Sequence, residues 1–265
     1  DVFTPILIED GQQMLFTGYF EPEFLGSRTR SDEYQYPIYS VPADLDRDTP
    51  YFSRQEIEKG ELFADRGLEI AWLTDPADRF FLQVQGSGRI RLPDNTVMRV
   101  GYAAKNGHAY TSIGKLLIQR KVFKQDEISA SIVREWIARN PEEGRALLWE
   151  NESYVFFKEI VNLTECSGPI GTMNEPITDL RSIAVDPDIV PLGSPVWVEK
   201  RGLAPLKCLT VAQDTGSAIK GSHRADIFFG TGAAAGEIAG QTNDHGRMVV
   251  LMPTEIASSL LAGQS

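Results

Sequence analysis

The last hundred residues carry the pattern that most limits what this chain can fold into. From about residue 165, apolar runs of four to seven residues (181–186, 195–200, 208–214, 225–229 and 246–252) alternate with Gly and Pro turns. Runs this short, bounded by turn residues, predict strands. Their spacing predicts a small β-barrel rather than a parallel α/β sheet. The densest part is VAQDTGSAIKGSHRADIFFGTG, residues 211–232. A strand through Val211 and Ala212 stops at Asp214, and Gly216, Gly221, Gly230 and Gly232 then break the backbone at short intervals. Ile227, Phe228 and Phe229 follow Asp226 as a second short strand, and Asp186 has a similar setting in RSIAVDPDIVPLG. Three acids beside strand breaks, with small residues leaving room around them, predict a carboxylate-lined cleft. Asp before Gly is also the commonest turn residue, so each acid could instead cap a turn.

The rest of the chain is mixed. MLFTGYFEPEF, residues 14–24, predicts a strand ending at Pro22. Its Tyr19 and Glu21 are either the polar end of a core strand or groups at a cleft rim. Residues 26–36 are polar and predict a loop. Ser53 and Glu56 form a capping box, which predicts a short surface helix over 54–63. A buried strand follows at 70–73. After a turn at Asp75-Pro76-Ala77, RFFLQVQGSGRIRL alternates like two strands bent at Gly86-Ser87-Gly88. TVMRVGYAAKNG predicts another strand, stopped by Asn106-Gly107. The period then becomes helical. Ile113, Leu116 and Leu117 share a face capped by Thr111 or Ser112, and Ile132, Val133, Trp136 and Ile137 make a second, core-facing stripe. Asn140-Pro141 ends that helix and starts a third over 141–149, and YVFF predicts a closing strand.

Composition removes several function classes. The 265 residues can bury one large core or two modest ones, and 42 % hydrophobic content is ordinary for a globular chain. No run approaches the roughly 18 apolar residues of a membrane span. The first residues, DVFTPILIED, have neither the basic start nor the apolar segment of an export signal, so any signal or lipid anchor is expected outside this sequence. A net charge of -11 argues against nucleic acid, but not against a polyanionic polymer read by local hydrogen bonds. Cys166 and Cys208 are the only cysteines and have no metal spacing, so they form either one disulfide or two buried thiols. His108, His223 and His245 are scattered, and no metal site is expected. Gly230, Gly232 and Gly236 imitate a dinucleotide fingerprint, but the spacing is wrong and no acid-ended second strand follows; a turn opening a short helix at 233–239 is expected. Neither a Gly-x-Ser-x-Gly elbow nor a His-Glu-x-x-His pair occurs.

Longer motifs carry a family resemblance. GYFEPEF at 18–24, QYPIY at 35–39, QVQGSGRIRL at 83–92, GYAAKNGHAYTSIGK at 101–115 and NESYVFFKE at 151–159 together resemble the membrane-bound lytic murein transglycosylase A family. RSIAVDP through the Asp226 strand resembles the domain named for its three aspartates that these enzymes carry. The resemblance implies a mainly β chain: a discontinuous double-psi β-barrel from residues 1–77 and 164–265, a smaller domain inserted at 78–163, and a substrate groove between them. It implies an enzyme without cofactor that cleaves the β-1,4 bond between N-acetylmuramic acid and N-acetylglucosamine without water, leaving 1,6-anhydromuramyl ends. Peptidoglycan glycan strands are the implied partner, with other cell-wall proteins as further partners, a monomeric state, and a place in the periplasm or on the periplasmic face of the outer membrane. Asp226, after SAIKG, matches the catalytic aspartate, and Asp186 and Asp214 match the other two. Where related barrels often have His-Phe before the aspartate, this chain has Arg224-Ala225.

The chemistry follows from the bond. Acetal cleavage passes through an oxocarbenium-like state, and the leaving oxygen needs a proton. One carboxyl suffices if Asp226 protonates that oxygen and then takes the proton of the muramyl C6 hydroxyl, which attacks C1 within the same sugar. Burial beside Ile227 and Phe228, and repulsion from Asp214 or Asp186, would keep the acid protonated. Lys220 is expected to bind substrate or pair with Asp214. Tyr19, Gln85, Ser87, Gly88, Lys105, Asn106 and Tyr110 are the expected substrate contacts, although for the Gly and Asn positions a turn role is equally open. Two other classes stay open: a conventional hydrolase using Asp226 with Asp186 or Asp214, and a non-catalytic glycan-binding barrel.

Overall fold

A computed structural model of the chain describes all residues except 1, 9–12, 47, 60, 61, 162, 165, 166 and 263–265, and only the backbone of 260–262. Strands are β1 (Phe3–Leu7), β2 (Met14–Glu21), β3 (Glu23–Ser27), β4 (Tyr36–Tyr39), β5 (Glu69–Leu73), β6 (Ser87–Arg91), β7 (Val97–Lys105), β8 (Val155–Glu159), β9 (Ser182–Ala184), β10 (Pro195–Lys200), β11 (Leu206–Asp214), β12 (Arg224–Thr231) and β13 (Asn243–Pro253). Helices are α1 (Arg54–Lys59), α2 (Pro76–Gln85), α3 (Ile113–Gln119), α4 (Ala130–Arg139), α5 (Pro141–Trp149), α6 (Ala233–Gln241) and α7 (Thr254–Ala262). The chain divides into two compact units, 1–21 with 164–265, and 22–163. Among the described residues no helix is long and apolar enough to cross a membrane.

The first unit is a closed barrel of six strands in the order β13-β10-β11-β9-β12-β2, with β2 returning to β13 and β1 added outside β13. Two pairs are parallel, β2 with β12 and β9 with β11, as a double-psi connectivity requires; the others are antiparallel. Phe16, Ile183, Val196, Val198, Ala212, Ala225, Ile227, Met248 and Val250 fill the interior. Each large side chain so buried contributes roughly 1.5–3 kcal/mol. Strand alternation then decides what faces outward: Ala225 and Ile227 point in, so Asp226 between them points out. Helix α6 lies directly on β2. A Cβ at Gly18 would sit 2.7 Å from the Phe229 ring and 2.8 Å from the Ala239 backbone, so only glycine allows that approach. The helix expected at 233–239 is α6, opened after Gly232.

The second unit is a six-stranded sheet, β4-β5-β3-β6-β7-β8, covered by α2 to α5. It corrects the expected domain limit at residue 78. Strand β3 pairs with both β5 and β6, so the segment 23–73 belongs to this sheet and not to the barrel. It also corrects RFFLQVQ, which is helix α2 rather than a strand. The Asp75 carboxylate accepts from the Ala77 backbone N–H at 2.6 Å, Pro76 opens the helix, and Gly86 ends it at φ 76°. These caps lie outside the apolar run, and they outweigh its apparent alternation. Ala77 and Phe80 then pack on Ile113, Leu117, Ile137 and Leu147.

The capping box of α1 forms as expected, with Glu56 accepting from the Ser53 backbone and hydroxyl. The helix, Arg54–Lys59, is a surface helix with one side anchored: Gln55, Glu56 and Lys59 are exposed, whereas Arg54 and Ile57 are buried. Arg54 pairs with Glu58 at 3.0 Å, and Glu58 also takes Arg79 at 2.8 Å and the Trp149 indole N–H. Cys208 places its thiol 3.5 Å from the Leu180 carbonyl, and Cys166 lies outside the described residues.

Candidate active site

One row crosses four barrel strands. Asp214 on β11 is opposite Ala184 on β9, Ala184 is opposite Asp226 on β12, and Asp226 is opposite Thr17 on β2. The small Ala184 separates the two acids, whose backbones are roughly 10 Å apart, two strand spacings. A β-bulge makes this alignment. Ala212, in the core, is opposite Ile183, and Asp214 is opposite Ala184, leaving Gln213 as the extra residue. Without it Asp214 would point into the barrel; with it the acid joins the outer face. Ser182 secures the bulge by donating to the Gln213 side-chain oxygen at 2.5 Å.

The two acids have opposite surroundings. Asp226 accepts from the Thr17 hydroxyl at 2.8 Å. Its carboxyl is pushed up to about 6, mainly by burial and further by the charge of Asp214, against the opposing pull of the Thr17 hydrogen bond and the Arg224 charge. Asp214 instead receives four donors among the described residues: the Tyr19 hydroxyl at 3.0 Å, the Thr172 backbone and hydroxyl at 3.0 and 2.8 Å, and the Thr215 backbone at 2.9 Å. Burial, with Asp214 alongside, raises the Tyr19 phenol well above its ordinary value, so it stays a donor. The Tyr19 ring also rests 5.3 Å from that of Phe228.

Asp186 stands apart from this row. It is buried and accepts from Gly221 N–H at 2.9 Å and from Lys220 Nζ at 3.1 Å, which together hold its carboxyl below the usual range. Lys220 therefore pairs with Asp186, not with the expected Asp214. The like charge raising Asp226 comes from Asp214. Asp186 fastens the SAIKG turn, at whose positive-φ Gly221 (85°) the chain enters β12. Glu21 is not a rim group: it is buried and accepts from the Thr231 hydroxyl at 2.9 Å.

The other expected contacts lie in the second unit. Gln85 ends α2, and Ser87 and Gly88 begin β6, where a Cβ at Gly88 would meet Leu82 at 2.6 Å. Lys105 ends β7 and is exposed, as is Tyr110. Asn106 differs from expectation. It is buried, and its amide bridges the Phe52 and Glu152 carbonyls and the Tyr154 N–H, so it braces three chain segments. Two residues were not anticipated as site residues, Thr17 in the row and Arg224 beside it on β12. Each lies two positions from an expected site residue on the same strand face, Thr17 before Tyr19 and Arg224 before Asp226. Strand period alone could have found them.

Residues 15–158 match the family described as MltA specific insert domain, and residues 181–252 match the 3D domain. The membrane-bound lytic murein transglycosylase A of Escherichia coli K12 is 38% identical over 260 residues, covering 94% of this chain and 68% of the relative. That of Vibrio cholerae is 35% identical over 247 residues, covering 89% of this chain and 64% of the relative. This chain thus spans about two thirds of their length. The crystal structure of a membrane-bound lytic murein transglycosylase from Agrobacterium tumefaciens aligns with a TM-score of 0.88 at 34% identity, covering 97% of this chain and 78% of that one. E. coli MltA with bound chitohexaose aligns with a TM-score of 0.82 at 37% identity, covering 91% and 72%.

Proposed function

Because this chain belongs to the membrane-bound lytic murein transglycosylase A family, we propose that it cleaves peptidoglycan glycan strands without water, with Asp226 as its single acid and base. The observation that carries this is the contrast between two neighbouring half-buried acids, one held by the Thr17 hydroxyl with its carboxyl pushed up to about 6 and the other ringed by donors. At a pKa of about 6, roughly one molecule in ten still holds the proton at pH 7. Asp226 gives it to the glycosidic oxygen between N-acetylmuramic acid and N-acetylglucosamine as the C1–O4 bond breaks. The resulting carboxylate takes the proton of the C6 hydroxyl as that oxygen closes on C1. Both proton transfers use one group, and the attacking oxygen is already held within the substrate. Asp214 supplies negative charge to the oxocarbenium-like state and, with burial, favours the protonated form of Asp226.

The remaining roles divide by geometry. Asp186 braces the turn before β12, with Lys220 as its partner and, through its exposed ammonium, a substrate contact. Tyr19 fixes Asp214. Gln85, Ser87, Gly88, Lys105 and Tyr110 contribute polar contacts to N-acetyl and peptide groups, while Asn106 holds the end of β7. The glycan strand is the partner, and the periplasmic side of the outer membrane is the site of action, as the membrane-bound relatives suggest.

The test is turnover of purified murein by single variants. Asp226→Asn should lower kcat by roughly 10²–10⁴-fold, the usual share of a general acid. Asp214→Asn should lower it less and shift its pH dependence toward acid. Equal, partial losses at Asp186, Asp214 and Asp226 would contradict a single acid/base.

A further inference from the structure

Two residues before Asp226, on the same face of β12, stands Arg224. Its Nη2 donates to Thr17 Oγ1 at 3.4 Å, and the Thr17 hydroxyl donates to Asp226 Oδ1 at 2.8 Å. A hydroxyl owns one proton, and a guanidinium has no acceptor. Toward Arg224 the Thr17 oxygen can therefore only accept, so its single proton is committed to Asp226. Arg224 also keeps its Nε buried without a hydrogen-bond partner among the described residues. A guanidinium placed only for stability has little reason to hold a donor unsatisfied there.

We propose that Arg224 is a positioning residue, which through Thr17 fixes Oδ1 of Asp226 as the accepting oxygen and leaves Oδ2 to carry the transferable proton. The proposal rests on Asp226 being the acid. It determines the direction of both proton transfers. The Oδ2 proton passes to the glycosidic oxygen as C1–O4 breaks. In the carboxylate that remains, Thr17 still occupies Oδ1, now as a stronger charge-assisted bond. The same Oδ2 receives the C6 hydroxyl proton as C1–O6 forms, which returns Asp226 to its starting state. Asp226 faces Arg224 on its own strand, Thr17 and Tyr19 from β2, and Asp214 from β11. Arg224 and Thr17 favour the carboxylate, whereas burial and Asp214 favour the acid, and the balance lets one group do both jobs.

The test is a ¹³C NMR titration of the Asp226 carboxyl, assigned by its disappearance in Asp226→Asn, combined with the pH profile of kcat/KM. Thr17→Val keeps the shape of the side chain and removes the hydroxyl; Arg224→Gln removes the charge. Both should raise the carboxyl pKa by roughly half a unit or more. Both should move the basic limb of the profile up by the same amount while turnover at pH 6 falls about tenfold. Thr17→Ser and Arg224→Lys should recover most of the difference. An unshifted carboxyl in folded Thr17→Val overturns the proposal, and this arm stands even if Arg224→Gln does not fold. Full activity of Asp226→Asn would refute the catalytic assignment, while the NMR shifts would still decide the relay.

Discussion

Asp226 occupies a position where ionisation is costly, and stability records that cost. Its carboxyl titrates at about 6 in the folded protein against 3.8 as its ordinary value. Between those pH values the folded state holds a proton that the unfolded state has released. Stability therefore falls as pH rises through this window, and the full penalty is present above about pH 6. Two units correspond to at most about 3 kcal/mol, and solvent reaching the half-buried residue reduces this. Asp226→Asn should thus be more stable than the parent at pH 7, by on the order of 1–2 kcal/mol in denaturant unfolding, and nearly equal at pH 4. An equal or lower midpoint at pH 7 would show that burial is not what raises the acid. On residues alone the sequence presents Asp186, Asp214 and Asp226 alike, each beside a strand break, and only the family resemblance singles out Asp226. The ranking of its neighbours is not legible there either. Lys220 is near Asp214 in the chain, yet the turn folds it back onto Asp186. Thr17 lies some two hundred residues from Asp226 and meets it only through parallel pairing of β2 with β12.

At the level of elements, strands with clear turn boundaries and the caps of α1 and α3 are legible in the sequence, whereas the caps of α2 are not. The five expected barrel runs correspond to β9 to β13, and α3, α4 and α5 follow their apolar stripes. Helix α2 was hidden because RFFLQVQ suits either period, and the deciding groups are Asp75, Pro76 and Gly86 at its ends. The bulge at Gln213 was equally hidden, since nothing local marks which residue of a ladder goes unpaired. The cap makes a measurable claim. Asp75→Ala frees the Ala77 N–H and should cost about 1 kcal/mol, lowering Tm by roughly 2–4 °C. Loss of only a tenth or two of that amount would mean that packing of Ala77 and Phe80, rather than the cap, sets the start of α2.

At the scale of the whole molecule, the sequence motifs supported a discontinuous barrel with an insertion, but placed the insertion's start some fifty residues late. Residues 23–73 look no different from barrel strands in composition; only their pairing with β6 assigns them to the second unit. The functional claim also belongs to this scale, because it concerns what enters and leaves the enzyme. The proposed cycle returns Asp226 to its starting state, so it consumes no water. The direct measurement is mass spectrometry of murein fragments produced by the purified chain in ¹⁸O-labelled water. Products with 1,6-anhydromuramyl ends, masses that sum to that of the substrate, and no ¹⁸O are expected. Reducing ends about 20 Da heavier per cut, carrying one ¹⁸O, would show a hydrolase with a second catalytic carboxylate and contradict the account.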